Sequence, residues 1–314
     1  MTPKAHEPVQ DDSPDTTLDA YLHQLATRRK LSKHTVDAYQ SDLRQLASLC
    51  GAQAWSAVSH QEIRRHTSKL HAGGLSARSI ARKLSAWRGF FDWLADHTAL
   101  AANPVAAIRA PRRAAALPKA LSVDSAVQLV AAAPHGQSPA ADACNRAMFE
   151  LLYSSGLRVS ELTSLDLAYG KGALGWVDFD SNEVIVTGKG NKMRKVPVGQ
   201  PAIAALQAWL AWRPAPLDGS AALFLSSRGS RMSPRVVQLR LKAHAQAAGI
   251  PVNVHPHVLR HSFATHVLQS SGDLRAVQEM LGHSSISSTQ VYTALDFQHL
   301  ALVYDQTHPR AKIK

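Results

Sequence analysis

The chain has 314 residues, 45% of them hydrophobic, enough for about two domains with a core each, which excludes a disordered tail or a mini-protein. Charged residues make up only 18%, yet 35 lysines and arginines stand against 23 acidic residues, and the net charge of +12 suits a polyanionic partner. No apolar run is long enough to span a bilayer, and the two cysteines, Cys50 and Cys144, show no CxxC spacing, which excludes a disulfide framework or a thiolate zinc site.

Residues 1–15 read as an acidic, disordered tail, with Lys4 against Glu7, Asp11, Asp12 and Asp15; they lack the apolar stretch of a secretory signal, so a cytoplasmic protein is expected. From 16 to 105 apolar residues recur at helical spacing: Leu18, Tyr21, Leu22 and Leu25, then Val36, Tyr39, Leu43 and Leu46, then Ile80, Leu84, Trp87, Phe91 and Leu94. This predicts four helices. Thr17, Ser32, Ser59 and Ser76 mark their starts, since each side-chain oxygen can accept an orphan amide proton, and Ser59 with Glu62 forms a capping box. Asn103-Pro104 stops the last helix, and residues 106–118, bracketed by prolines and without periodicity, read as an interdomain linker.

Residues 16–118 hold 15 lysines and arginines against 6 acidic residues, and residues 119–314 hold 19 against 13, so the helical module is the more basic per residue. Arg78, Arg82, Lys83 and Arg88 lie mostly on the polar side of the stripe begun by Ile80 and are its candidate nucleic-acid contacts; a solvated helix face is the plainer alternative.

Residues 119–314 form the second expected domain. Helical patterns cover Ser122–Ala132 and Pro139–Ser155, after which the period switches to two over Val184–Val198, two strands around a Gly-rich turn. Helices resume at Ala202–Trp212, Pro234–Ala248, Pro256–Gln269 and Leu274–Leu281 and continue to the end. The fold class expected is mainly α: an N-terminal four-helix domain, then a mixed, mostly helical domain with a small antiparallel β-sheet.

The richest chemistry lies in His255-Pro-His-Val-Leu-Arg-His-Ser-Phe-Ala-Thr-His266. Proline at a helix start puts His257 in the first turn and Arg260, three residues on, on the same face, a combination suited to a phosphate. A histidine-rich capping turn is the alternative, and a metal held by His257 and His261 is disfavoured because the segment has no carboxylate. In Ser154-Ser-Gly-Leu-Arg-Val-Ser-Glu-Leu162, Glu161 falls one turn after Arg158 and can brace its guanidinium, although an ordinary surface pair has the same spacing. Lys189, at the tip of Gly188-Lys-Gly190, lacks the spacing of a nucleotide-binding loop, so an ATPase is rejected; a lysine on a movable hairpin can still reach a substrate.

Gly-Leu-Arg158-Val-Ser-Glu161, Gly-Lys189-Gly-Asn-Lys, His257-Val-Leu-Arg260-His-Ser-Phe-Ala-Thr-His, Leu-Gly-His283 and Thr-Gln-Val-Tyr292 occur in that order. From residue 16 onward the chain thereby resembles the tyrosine recombinase (phage integrase) family, including its basic, SAM-like core-binding module. The ending, Leu295-Asp-Phe-Gln-His-Leu-Ala-Leu-Val-Tyr-Asp-Gln-Thr-His-Pro-Arg310, resembles the XerC branch in particular. One departure is the connection Ala168–Ser181, longer than is usual before the hairpin.

The resemblance implies that Tyr292 attacks a scissile DNA phosphate, forming a 3′-phosphotyrosyl link and freeing a 5′-hydroxyl, with no cofactor, metal or ATP. It implies that Arg158 and Arg260 clamp the non-bridging oxygens, that Lys189 protonates the leaving oxygen, that His257 assists proton transfer at the tyrosine and that His283 hydrogen-bonds the phosphate, with Glu161 supporting Arg158. His244, His261 and His266 are left as structural residues.

The partners it implies are duplex DNA at a dif-like site, a XerD-like recombinase in a heterotetramer and a septal DNA translocase as activator. Strand exchange would pass through a Holliday junction and resolve chromosome dimers during cell division. The segment from about Asp296 would dock in trans on a neighbouring protomer. Two readings compete from outside this role: an integrase of a mobile element, and a non-catalytic DNA-binding regulator, which would have no use for Tyr292 beside Arg158, Arg260 and Lys189. A type IB topoisomerase would share the covalent chemistry, but the size and the N-terminal module favour a recombinase.

Overall fold

Four helices make the first of two units, residues 1–116 and 117–314, in a computed structural model that describes residues 14–29, 31, 33–98, 100, 102–111, 120–132, 138–188, 192–250, 253–282 and 294–311. They are α1 (Pro14–Thr27), α2 (Lys33–Cys50), α3 (His60–Ala72) and α4 (Ala77–Ala95). The apolar stripe of α4, Ile80, Leu84, Trp87, Phe91 and Leu94, is buried, as its spacing requires, with α2 and α3 packed on that helix and α1 on α2. Tyr21 meets Phe90 edge-on at 5.5 Å between ring centroids and Trp55 meets it at 5.0 Å, while the Trp87 indole donates to the Asp42 carbonyl over 2.9 Å.

Both halves of the Ser59–Glu62 capping box form, and Ser76 accepts from the Ser79 amide. The start expected at Thr17 is displaced: α1 begins at Pro14, whose fixed φ suits a first helical position, and Thr17 is buried inside the helix. Ser32 lies outside the described residues. Part of the expected linker belongs to this unit, because Ile108 is buried in its core and its carbonyl accepts from Arg88 Nη2 over 3.0 Å.

The second unit runs through α5 (Val123–Ala131), α6 (Pro139–Ser155), α7 (Val159–Thr163), β1 (Gly175–Asp178), β2 (Glu183–Thr187), β3 (Met193–Pro197), α8 (Gln200–Trp212), α9 (Pro234–Ala247), α10 (Pro256–Ser271), α11 (Leu274–Leu281) and α12 (Ala294–Thr307). Helix α6 is its centre: residues from Ala147 to Ser155 are all buried, and α5, α8, α9 and α10 pack around it. The strands form one antiparallel sheet in the order β1-β2-β3, with Gly175 opposite Val186 and Val186 opposite Arg194. Three strands stand where two were expected, because β1 lies within the long connection Ala168–Ser181. Its four residues are too few for a period of two to stand out. The architecture is otherwise the mainly helical, two-unit class with a small antiparallel sheet that the periodicity predicts.

The end of the chain lies on its own second unit. Tyr304 Oη is 2.6 Å from Ser154 Oγ, its ring stacks on His308 at 4.9 Å, Arg310 ion-pairs with the fully buried Glu150, and the Gln200 amide donates to the Ala311 carbonyl over 3.1 Å. In the single chain this segment is therefore held in cis.

Candidate active site

Helix α6 ends at Gly156, whose φ of +57° lies in the left-handed region. A Cβ there would come within 2.4 Å of the Phe263 ring, so glycine alone turns the chain at this point. Two residues later Arg158 precedes α7, and Glu161, in the first turn of that helix, takes hold of it twice. Glu161 Oε2 accepts the Arg158 backbone N–H over 2.8 Å and Oε1 accepts from Arg158 Nη1 over 2.7 Å. The brace drawn from the spacing thus exists. It leaves the Arg158 side chain about a third exposed, at 35%.

Helix α10 starts with proline at its first position, placing His257, exposed, in the first turn and Arg260 one turn further in. Arg260 is buried and donates from Nη1 to the Gly156 carbonyl and from Nη2 to the Leu281 carbonyl, each over 2.7 Å. Its guanidinium is therefore held at the residue two before Arg158. Burial and the neighbouring Arg158 and Arg194 charges lower its pKa to about 10, against the opposing pull of Glu161, so it remains a cation at neutral pH. Arg158 is thus close enough to Arg260 for its charge to be felt there, and two like-charged guanidinium groups favour an anion between them, which removes their repulsion.

Lys189, His283 and Tyr292 lie outside the described residues. Beside the first, the Gly188 amide donates to the Lys192 carbonyl over 2.8 Å. Beside the second, α11 ends at Gly282 in the left-handed region, φ +64°. The histidines left as structural divide: His244 bonds the Leu129 carbonyl and His266 the Leu121 carbonyl, both at 2.8 Å and both buried, whereas His261 is exposed.

The four basic candidates of α4 do not act as one patch. Arg78 is exposed, and Arg82, also exposed, ion-pairs with Asp42. Lys83 departs from the expectation of a phosphate contact: it is turned inward, 7% exposed, with Nζ 2.7 Å from Asp42 Oδ1. Its place three residues after Ile80 and one before Leu84 puts it at the edge of the apolar stripe rather than opposite it. Arg88 is half-buried and engaged with the Ile108 carbonyl.

Sequence reasoning overlooked Arg194. On β3 it is buried, and it presents Nη1 and Nη2 to the two oxygens of Glu161 over 2.9 and 2.8 Å and Nε to the Met280 carbonyl over 2.9 Å. Burial alone would raise the pKa of Glu161, but the Arg194 bonds and charge, with those of Arg158, outweigh it and hold the carboxyl below its ordinary value. The missed signal was the alternation of β3, exposed Met193 and Lys195 against buried Arg194 and Val196, which places an arginine on the inward face.

Among the described residues no helix is long and apolar enough to cross a membrane, and no His, Cys, Asp and Glu cluster has the makings of a metal site. The sequence matches the phage integrase family over residues 119–299 and the N-terminal SAM-like domain of phage integrases over residues 18–98. It is 54% identical over 333 residues to tyrosine recombinase XerC 1 of Ralstonia nicotianae, covering 100% of both chains. It is also 54% identical over 320 residues to tyrosine recombinase XerC of Ralstonia pickettii, covering 96% of each. Among solved structures it shares the fold of a lambda integrase tetramer bound to a Holliday junction, with a TM-score of 0.67, 18% identity, and 93% of this chain and 85% of that chain covered. The chain therefore belongs to the phage integrase family of tyrosine recombinases, site-specific DNA recombinases, and is similar over its whole length to the XerC members of that family.

Proposed function

We propose that this recombinase acts on duplex DNA at a dif-like site, where it resolves chromosome dimers during cell division together with a XerD-like partner and under a septal DNA translocase. The observation that carries the reading is that Arg158, braced by Glu161, stands two residues after Gly156, whose carbonyl anchors Arg260. Such a pair recognises a phosphodiester with both non-bridging oxygens accessible. The similarity to XerC proteins over the full chain supports the biological role.

In the reaction, the Tyr292 hydroxyl attacks phosphorus, the bond to the 5′-oxygen breaks, and a 3′-phosphotyrosyl ester conserves the bond energy for rejoining. An ordinary tyrosine pKa near 10 calls for a proton acceptor, a role for His257, and the departing 5′-oxygen takes a proton from Lys189. His283 hydrogen-bonds the phosphate while Arg158 and Arg260 neutralise the charge that grows on it. The assembly is a tetramer passing through a Holliday junction, as lambda integrase was captured. The exposed Arg78 and Arg82 contribute to a general grip on the DNA backbone. The protein works in the cytoplasm, where chromosomal DNA is.

Mapping the nicks made on the host's dif-like duplex, with and without the partner recombinase, tests this. A single defined nick carrying a 5′-hydroxyl is expected. Cleavage confined to the ends of a mobile element, with the dif-like duplex untouched, would favour an integrase instead.

A further inference from the structure

Arg194 belongs to none of the roles above, yet it bonds both the Glu161 carboxylate and the end of α11. Its single planar guanidinium, delivered by β3, makes a two-pronged contact with Glu161 on α7 and a third bond to the Met280 carbonyl in the last turn of α11. Glu161 in turn divides the same two oxygens between Arg194 and Arg158, so the orientation of the carboxylate that Arg158 uses is set by Arg194. The turn after α11 is shaped around this side chain: a Cβ at Gly282 would lie 3.2 Å from Arg194 Cδ and 3.3 Å from Nε and Nη1. At the mouth of the hairpin, a Cβ at Gly188 would lie 3.5 Å from Arg194 Nη1.

We propose that Arg194 is a positioning residue that fixes the Glu161–Arg158 brace and the end of α11 in one arrangement, coupling β3 to the phosphate clamp. The coupling needs the fork of an arginine: an ammonium group is a point donor and cannot bond both oxygens of Glu161 along parallel lines while also reaching Met280. The consequence for the reaction rests on the reading of Arg158 as a phosphate ligand. A stabilising ion pair with no part in the chemistry would show the same contacts but different kinetics.

The test uses the full chain on a nicked suicide duplex carrying the host's dif-like site. Wild type is compared with Arg194→Gln, Arg194→Lys, Glu161→Gln, the Arg194→Gln/Glu161→Gln double variant and Arg158→Ala. Adduct formation at saturating DNA, duplex affinity, the pH profile and amide exchange over residues 156–163 and 276–282 are measured.

Arg194→Gln is expected to slow adduct formation by about ten-fold or more while changing duplex affinity far less. Arg194→Lys should not restore the rate, and the double variant should be no slower than the slower single variant. The acidic limb of the profile should move upward by about one pH unit or more in Arg194→Gln, as Glu161 loses its main cationic partner. Amide exchange should quicken in both segments. A wild-type rate in either Arg194 variant, or rate losses that multiply in the double variant, overturns the proposal. If Arg194→Gln fails to fold, Arg194→Lys decides on its own rate. If Arg158→Ala cleaves like wild type, the reading of the clamp fails, and the exchange result still decides whether Arg194 holds the two segments.

Discussion

Arg260 Nη1 donates to the carbonyl of Gly156 over 2.7 Å, tying the first turns of α10 to the point where α6 ends. Two stretches of sequence about a hundred residues apart thereby become one site, and the left-handed turn at Gly156 is the hinge of the arrangement. Replacing Arg260 with alanine removes both a cation and the partner of two buried carbonyls. Adduct formation should fall by about 10²–10³-fold or more, with duplex binding retained at moderate salt. Equal loss of binding and cleavage in a suicide-substrate assay would show that Arg260 only holds DNA.

The pair of Lys83 and Asp42 is a buried ion pair, not part of a DNA-facing surface. Breaking it with Lys83→Ala takes one of two cationic partners from a buried carboxylate, Arg82 remaining, and should cost about 1–3 kcal/mol in urea unfolding. Changes at Arg78 should behave in the opposite way, leaving stability near wild type. They should also reduce the salt dependence of DNA binding by about one unit of slope. A reduced slope for a folded Lys83→Met variant would contradict the assignment.

Helix periodicity makes most of the fold legible in the sequence. Pro139–Ser155 and Leu274–Leu281 match α6 and α11, because Ser138 with Pro139 at one start, Asp273 at the other and glycine after both ends mark their limits chemically. Local pattern could not reveal where an inward-facing charge finds its counter-charge. Lys83 reads as a candidate DNA contact and Arg194 as an ordinary strand residue, and their partners, Asp42 and Glu161, lie 41 and 33 residues away. The spacing of Arg158 and Glu161 did disclose their bond, since i,i+3 neighbours on a helix start are necessarily close.

His308 is fully enclosed by Tyr304, Tyr153 and Phe263, and burial drives its pKa down to about 3, with the His266 charge pushing the same way. The unfolded chain takes up a proton below about pH 6.5 that the folded imidazole refuses. The stabilisation from neutral His308 is therefore complete above that pH and lost as pH falls toward 3, by about 1.4 kcal/mol per unit from this group. Urea midpoints measured between pH 7 and 5 should decline, and His308→Phe should decline less. Parallel declines would remove His308 as a cause.

Glu150 is wholly buried, and burial raises its pKa even though Arg310 opposes the shift. Arg310→Ala deprives the carboxylate of its counter-charge, and the folded pKa rises further. Protonation then relieves the fold at low pH, so the stability deficit should grow with rising pH, being larger at pH 8 than at pH 5. Adding Glu150→Gln should recover part of the loss at pH 8, read from thermal midpoints. An equal deficit at both pH values would contradict the pairing.

Tyr292 is expected to be the nucleophile of the strand transfer. A nicked suicide duplex bearing the cleavage site, incubated with wild type and with Tyr292→Phe and resolved under denaturing conditions, tests it most directly. Wild type should accumulate a covalent protein–DNA adduct and Tyr292→Phe should form none while binding the duplex equally well. The same adduct from both proteins, or none from either on a duplex that both bind, would contradict the account.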